Sequence, residues 1–455
     1  MLRISSRVNA FNLKIKEYKN ERKRNESIFP CKKKENKMKA MLPGLDILRF
    51  LLACYLVVFH TLVIYPEARA MPMADFFKFG GCATSIFFIL SGFILSHVSV
   101  EKKTGEAMKV SASKFFINRF SNIYPIHIVT LALSVALMAV NSHPFDTELS
   151  NLDSAPPIVH TMSGVEVAVN AVLQILLLQA WNPFYLSFNI PSWSLSTLFF
   201  FYLLFPALAP RLLSMRWKST MLMAMWGASL LPAVIVVAGG WYQGWPIGVL
   251  HTNPLVRLPE FLAGILAYGI FEANVESITG MIASCRWIIF AAIGALFIGA
   301  TFLFTAGMRS WEVLLHNGAL LPAQVAVIFV CASTLQNASP RVAAWTRRLG
   351  NASLSIFALQ YPLFIGFLKV QKLLGIPYSL LSCVHRPHVC RVAASQVPAH
   401  FSAYPVYLIL VLVTSVLFQE RVVLPLRTRL RRVLKSRWDE ARPAPLPATS
   451  VPKTQ

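Results

Sequence analysis

The sequence predicts an all-α fold: a polytopic transmembrane helical bundle of about ten spans plus one partial or re-entrant hydrophobic segment. Three observations predict it. Of 455 residues, 55% are hydrophobic and only 14% are charged, with a mean hydropathy of +0.55. A soluble chain carries about a quarter charged residues, and a soluble domain of this size needs more polar surface. The apolar residues fall into runs near the roughly 20 residues that a span requires. Most of the net charge of +23 sits in two tails: residues 1–40 hold 13 Lys/Arg against 4 Glu, and residues 421–455 hold 9 against 2 acids.

This composition excludes a soluble enzyme, a disordered protein and a repeat solenoid. A nucleic-acid binder would carry its charge on a folded face, so no nucleic-acid partner is expected. Tails that flank hydrophobic spans instead follow the positive-inside rule and place both termini in the cytoplasm. Residues 1–40 read as a disordered basic leader, 41–420 as the membrane domain, and 421–455 as a basic, then Pro-rich, disordered cytoplasmic tail.

The spans fall at roughly 45–64, 79–99, 124–141, 192–210, 219–240, 256–272, 286–306, 313–334, 351–371 and 403–419. The run 164–180 is apolar but short, and Asn170, Gln174 and Gln179 interrupt it. Loop charge tests the count. Segments 100–123, 211–218 and 335–350 carry Lys or Arg and belong inside, whereas 142–163 carries Asp146, Glu148 and Asp153 with no Lys or Arg. A full span at 164–180 would put Arg211 outside. A re-entrant or interfacial segment keeps every basic loop except 373–402 inside, so ten full spans are expected, with eleven as the alternative. The first run is too long for a signal peptide and lacks a cleavage site. Cys54, Cys82 and Cys331 lie in apolar runs and read as small core residues. Cys383 and Cys390 share one polar loop and can pair if it is extracytoplasmic.

The chemistry begins in the first span, with Asp46, Arg49 and His60. Ionisable residues in a span are costly and functional by default. Eleven residues separate Arg49 from His60, three turns plus about 20°, so both project from one helix face with Cα atoms roughly 16 Å apart. Snorkelling of Arg49 and end-capping by His60 is the plainer explanation of either residue alone. Arg119 sits at the inner end of the third span, where snorkelling and binding of an anion explain it equally well. Trp193 reads as an interfacial belt residue or as part of a polar cleft with Ser192, Ser194 and Ser196. Arg257 and Glu260 form an i,i+3 pair that is either a clamp or a site component. Topology gathers His60, Trp193 and Arg257 near the outer side and leaves Arg49, Arg119 and Ser353 inward.

An Arg and a His with ten residues between them in the first span resemble the signature of the acyltransferase-3 family, bacterial membrane enzymes that O-acylate glycans and related acceptors. Further elements follow in family order. Phe87–Phe93 is similar to its FFxLSGF element, and Phe115 through Arg119 to Tyr124-Pro125 to its basic segment. Gln179-Ala180-Trp181 and Ser192–Ser196 resemble the LQxW and SWSLS elements. Arg257 with Glu260-Phe261 and Gly264 resembles RxxEFxxG, and Leu349-Gly350 with Ser353–Ser355 opens a late span. The resemblance implies acyl transfer from cytoplasmic acyl-CoA, acetyl-CoA foremost, to a hydroxyl of an extracytoplasmic or lipid-linked glycan. It places the protein in the bacterial inner membrane, in contact with membrane lipid. It implies acyl-CoA as co-substrate, no bound cofactor and no metal, and a separate envelope-biosynthesis partner. His60 would be the base that deprotonates the acceptor, or a transient acyl carrier. Arg49 would hold the donor or stabilise charge on the thioester side. Arg119 and Tyr124 would bind the donor, and Asp46, Trp193, Ser194, Arg257 and Glu260 would form or support the acceptor cleft.

Three positions depart from the family pattern: Leu198 where Glu is usual, Asn122 where a second Arg is common, and Gln360 where a His precedes Pro. They keep open a weakened family member. A transporter or flippase for lipid-linked sugars is the other alternative; the absence of an internal repeat weighs against it.

Overall fold

The computed structural model describes residues 42–440 apart from 70, 72–73, 102–106, 140–144, 153 and 379. The leader 1–40 and the stretch 441–455 lie outside the described residues. Among the described residues, nine helices are long and apolar enough to cross a membrane, or ten if one bent pair counts as a single span.

In chain order, α1 (Pro43–Leu62), α2 (Gly80–Ser99) and α3 (Ala112–Ala139) come first. A small antiparallel hairpin, β1 (Asp146–Glu148) and β2 (Val159–Thr161), pairs Asp146 with Thr161 and leads into the short helix α4 (Gly164–Ile175). Then follow α5 (Trp193–Ser214), α6 (Lys218–Gly239), the short α7 (Trp245–Thr252) continuing into α8 (Pro254–Ala273), and α9 (Val275–Thr305). The bent pair is α10 (Arg309–His316) and α11 (Leu321–Ser333), at 41°. The chain ends with α12 (Pro340–Leu374), α13 (Tyr404–Phe418), a π-helical turn Gln419–Val423, and α14 (Leu424–Glu440).

Every expected span contains one of these helices. Their burial separates centre from rim. In α2, 72% of the most apolar window is buried inside the protein; in α9 only 11% is. The outward side chains of α9 include Trp287, Ile288, Ile298 and Phe302, an apolar surface that only lipid can solvate. At the centre α2 packs on α8, and α1 packs on α12. Gly92 and Gly264 let the first pair touch backbone to backbone: a Cβ on Gly264 would collide with the Ile89 carbonyl, and one on Gly92 with the Phe261 carbonyl. Without a hydrophobic drive between helices in lipid, such close approach supplies the van der Waals attraction.

One segment is partial, as expected, and three others differ from the expectation. The run 164–180 folds as a 12-residue helix, about 18 Å long, too short for a hydrocarbon core of about 30 Å. A full capping box between Ser163 and Glu166 opens it. Its polar face points inward, with Asn170 and Gln174 buried, while Val165, Val169, Val172 and Ile175 face out. The interruptions in the apolar run are therefore its anchors to the protein: Gln174 donates to the Ser187 carbonyl and Asn170 to the Tyr185 hydroxyl.

The third span begins at 112, not 124, so Arg119 lies within a helix. The late basic segment 340–350 is likewise the first part of α12. Residues 421–440, expected to be a disordered tail, continue α13 as helix. One reason covers all three corrections. Hydropathy ends a span where Lys and Arg begin, but these residues are good helix formers and reach the interface on long stems. Cys383 and Cys390 form a disulfide, with Cα atoms 5.4 Å apart.

Candidate functional site

At the end of the bundle where α1 finishes, a narrow cavity of about 50 Å³ opens among five transmembrane helices. His60 enters it from the last turn of α1 and Trp193 from the first turn of α5. His251 closes α7, and its ring meets Trp193 edge-on at 4.9 Å between centroids. Arg257 comes from the start of α8; Glu312 and His316 share one face of α10. The His316 ring stacks on Phe79 at 5.4 Å.

The break between α10 and α11 serves this cavity. Gly318 takes a φ of +99°, a region that disfavours side chains. Trp226 Nε1 donates to the Gly318 carbonyl at 3.0 Å, and Pro322 opens α11. The last turn of α10 thereby presents backbone and side-chain oxygens instead of continuing its ladder. Arg257 Nη1 uses them, donating to the His316 carbonyl at 3.3 Å and to Asn317 Oδ1 at 3.4 Å.

Arg257 also pairs with Glu260 at 2.9 Å, and both residues are at most 3% exposed. Ser85 on α2 donates to the same Glu260 oxygen at 2.9 Å. The other carboxylate oxygen is buried without a hydrogen-bond partner among the described residues. Glu260 stands behind the cavity wall and fixes Arg257, which lines it. His60 has Phe357 at its edge, 6.3 Å between centroids, and Gln360 of α12 facing its ring. No well-formed hydrogen bond among the described residues satisfies its buried Nδ1. A loop closes the mouth: Asn151 and Leu152 line it, and Glu312 accepts from the Ser154 amide at 3.2 Å and hydroxyl at 2.5 Å.

The other end of α1 is basic. Arg49 reaches Asp46 at 3.8 Å, a loose ion pair, about 16 Å along the helix from His60. Arg119 lies over the Phe115 ring at 5.4 Å and the Tyr202 ring at 5.9 Å. Tyr124 stacks on Phe120 at 4.6 Å. The structure thus brings together His60, Trp193 and Arg257, with Glu260 behind, and groups Asp46, Arg49 and Arg119 at the opposite end. It does not bring Ser194 to the cavity: that hydroxyl donates to the Pro191 carbonyl at 3.2 Å.

Sequence reasoning missed His251, His316, Glu312 and Asn317. The signal for the first three was present: His316 falls inside the expected span 313–334, and His251 and Glu312 lie beside apolar runs. Each, however, sits on an eight-residue helix that looks like a span's frayed end. Among the described residues no group of three or more His, Cys, Asp or Glu is arranged to hold a metal ion.

Residues 42–420 match the family model described as an acyltransferase domain. The chain is also similar to acyltransferase MdmB of Streptomyces mycarofaciens, 31% identical over 222 residues. That match covers 45% of this chain and spans about half, 50%, of the curated relative. No solved structure matches. With the model running through every helix from α1 to α13, the chain belongs to the acyltransferase domain family.

Proposed function

We propose that the protein is a membrane O-acyltransferase that moves an acyl group, acetyl foremost, from cytoplasmic acyl-CoA to a hydroxyl of a cell-surface or lipid-linked glycan. The observation that carries this reading is the two-ended first helix. A buried imidazole stands in a polar cavity at one end, and a group of arginines gathers at the other. A donor bearing phosphates and a thioester suits the arginine end; an acceptor hydroxyl suits the histidine end.

An alcohol is a weak nucleophile at neutral pH, and an imidazole is the side chain best matched to take its proton. In this reading His60 accepts the hydroxyl proton as the oxygen attacks the thioester carbon. The new C–O bond forms, the C–S bond breaks, and coenzyme A leaves as a thiol that regains the proton. Arg257, held by Glu260, faces the developing oxyanion. His60 as a transient acyl carrier is the variant of this scheme. Arg49, Arg119 and Tyr124 hold the donor; Asp46 orients Arg49; Trp193 offers a flat apolar face to a sugar ring. The protein then sits in a bacterial inner membrane with both termini in the cytoplasm, and an envelope-biosynthesis partner supplies its acceptor.

The test is acetate released from purified surface polysaccharide. A deletion strain is complemented with wild type, His60→Ala or Arg49→Ala, each at equal membrane level. Acetate restored by wild type alone supports the assignment. Acetate unchanged across all strains removes the surface glycan as acceptor and moves the flippase and weakened-member readings ahead.

A further inference from the structure

The C-terminal helix α14 was expected to be loose tail, yet it packs along α3. Two contacts seat the π-helical turn that leads into it. Glu420 accepts from Arg348 Nε at 2.5 Å and Nη2 at 3.0 Å, and Ser355 donates to Gln419 at 2.7 Å. That π-helical turn adds a residue to one turn and so resets which side chains of α14 face α3. Arg427 is one of those, and it is half-buried.

Besides the Tyr202 phenol, the groups that bear on Arg119 are Arg427 and Arg49, both cations, and Arg431 one turn further on bears on Arg427. Among the described residues Arg119 has no acidic partner, and its Nε is sealed from solvent without a hydrogen bond. Glu420, the acid that opens this segment, is already taken by Arg348. Asp46 reaches only Arg49, and loosely. Guanidinium groups gathered at a partly buried surface repel one another unless an anion joins them. Their planar forks of donors match phosphate.

We propose that Arg427 of the C-terminal helix joins Arg119 and Arg49 in a phosphate-binding site at the end of the bundle where α1 begins. Two phosphates share this chemistry: those of coenzyme A and the headgroup of an anionic lipid. Assigning the site to coenzyme A rests on the acyl-transfer reading above. Arg427 then supplies from α14 the second cation that Asn122, one turn after Arg119 on α3, does not.

The experiment measures binding of coenzyme A to the purified full chain in phosphatidylcholine nanodiscs, for wild type, Arg427→Ala and Arg427→Ala/Asn122→Arg. Thermal stability is measured in parallel with and without phosphatidylglycerol in the disc. Arg427→Ala should weaken coenzyme A at least tenfold, and Asn122→Arg should recover most of that loss, which a merely structural helix contact would not permit. If Arg427→Ala leaves coenzyme A binding intact but abolishes stabilisation by phosphatidylglycerol, the phosphate site stands and its ligand is the lipid. If Arg427→Ala changes neither, the proposal is overturned. Wild type that binds no coenzyme A defeats the acyl-donor reading, and the lipid arm alone then decides the site.

Discussion

Removing the Glu260 carboxylate tests the centre of the site directly. Arg257 is 3% exposed, and Glu260 is its one ionic partner among the described residues, at 2.9 Å. At an effective dielectric near 20, the bare attraction at that distance is about 6 kcal/mol. Desolvation of both groups offsets much of it in the intact pair, but truncating one partner strands the other. Glu260→Ala leaves a buried guanidinium with two long hydrogen bonds, to the His316 carbonyl and Asn317 Oδ1. Breaking a buried pair in this way costs about 3–5 kcal/mol, a large share of the roughly 5–15 kcal/mol that holds a domain together. Glu260→Gln keeps an oxygen for Ser85 and Arg257 and should cost less, about 1–3 kcal/mol. The double variant Arg257→Met/Glu260→Met carries no stranded charge and should lie within about 2 kcal/mol of wild type. Reversible unfolding in SDS mixed micelles measures all three. A Glu260→Ala protein within about 1 kcal/mol of wild type, less than a tenfold change in the folding equilibrium, would refute the argument that the pair is a closed, desolvated clamp.

Two further predictions follow from local geometry. Gly264→Ala drives a methyl into the Ile89 carbonyl and should destabilise the α2–α8 pair by about 1–3 kcal/mol, whereas Gly299→Ala on the lipid-facing α9 meets nothing and should be neutral or mildly stabilising; equal unfolding midpoints for the two would sink the close-packing account. The carboxyl of Glu166 on α4 is lowered to about 2, first by the Ser163 backbone N–H, then by His160 and the Ser163 hydroxyl. A folded value below the ordinary one means that this capping stabilises above the ordinary carboxylate range and is lost as pH falls toward 2. Proteolysis of the 145–176 segment should therefore accelerate as pH falls from about 5 to about 2, the range set by these values, and Glu166→Gln should remove that dependence; a wild type cut equally fast at both ends of the range would contradict it.

The bundle was legible because lipid imposes one rule on every span, and hydropathy reads that rule. The convergence of His60, Trp193 and Arg257 was legible too, since loop charge fixes which helix ends share a face. Polarity at Asn170, Gln174 and Gln179 gave the short helix away, but not that its polar face would turn inward; that depends on tertiary partners such as Ser187 and Tyr185. His316 stood inside the expected span 313–334, whose bend hydropathy does not show, and His251 and Glu312 sit on eight-residue helices with no hydropathy signature of their own. Arg427 was hidden for the opposite reason: a charged segment gives no apolar period, although its residues favour helix and its neighbour α3 offers a surface.

Leu198 is where sequence and structure together make the sharpest demand. The resemblance marks it as a lost carboxylate. The structure puts it on α5, 8% exposed, one turn from Tyr202. Tyr202 is the ring over which Arg119 lies, and the charge of Arg49 also bears on it. Leu198 therefore stands on the Tyr202 face of α5, about 7.5 Å along the axis from Trp193 and about 140° around it. A carboxylate there, unlike one placed at random in an apolar core, stands one turn from the ring over which Arg119 lies. L198E should fold, and it should raise acyl transfer by orienting Arg49 or Arg119 without occupying the His60 cavity. The assay is acetate transferred per unit of membrane-inserted protein, with the acetyl-CoA concentration varied. A rise in kcat supports the loss. Transfer left unchanged, or abolished in a protein that still reaches the membrane at wild-type level, would mean that Leu198 is an ordinary packing residue and that the arginine end works without a carboxylate beside it.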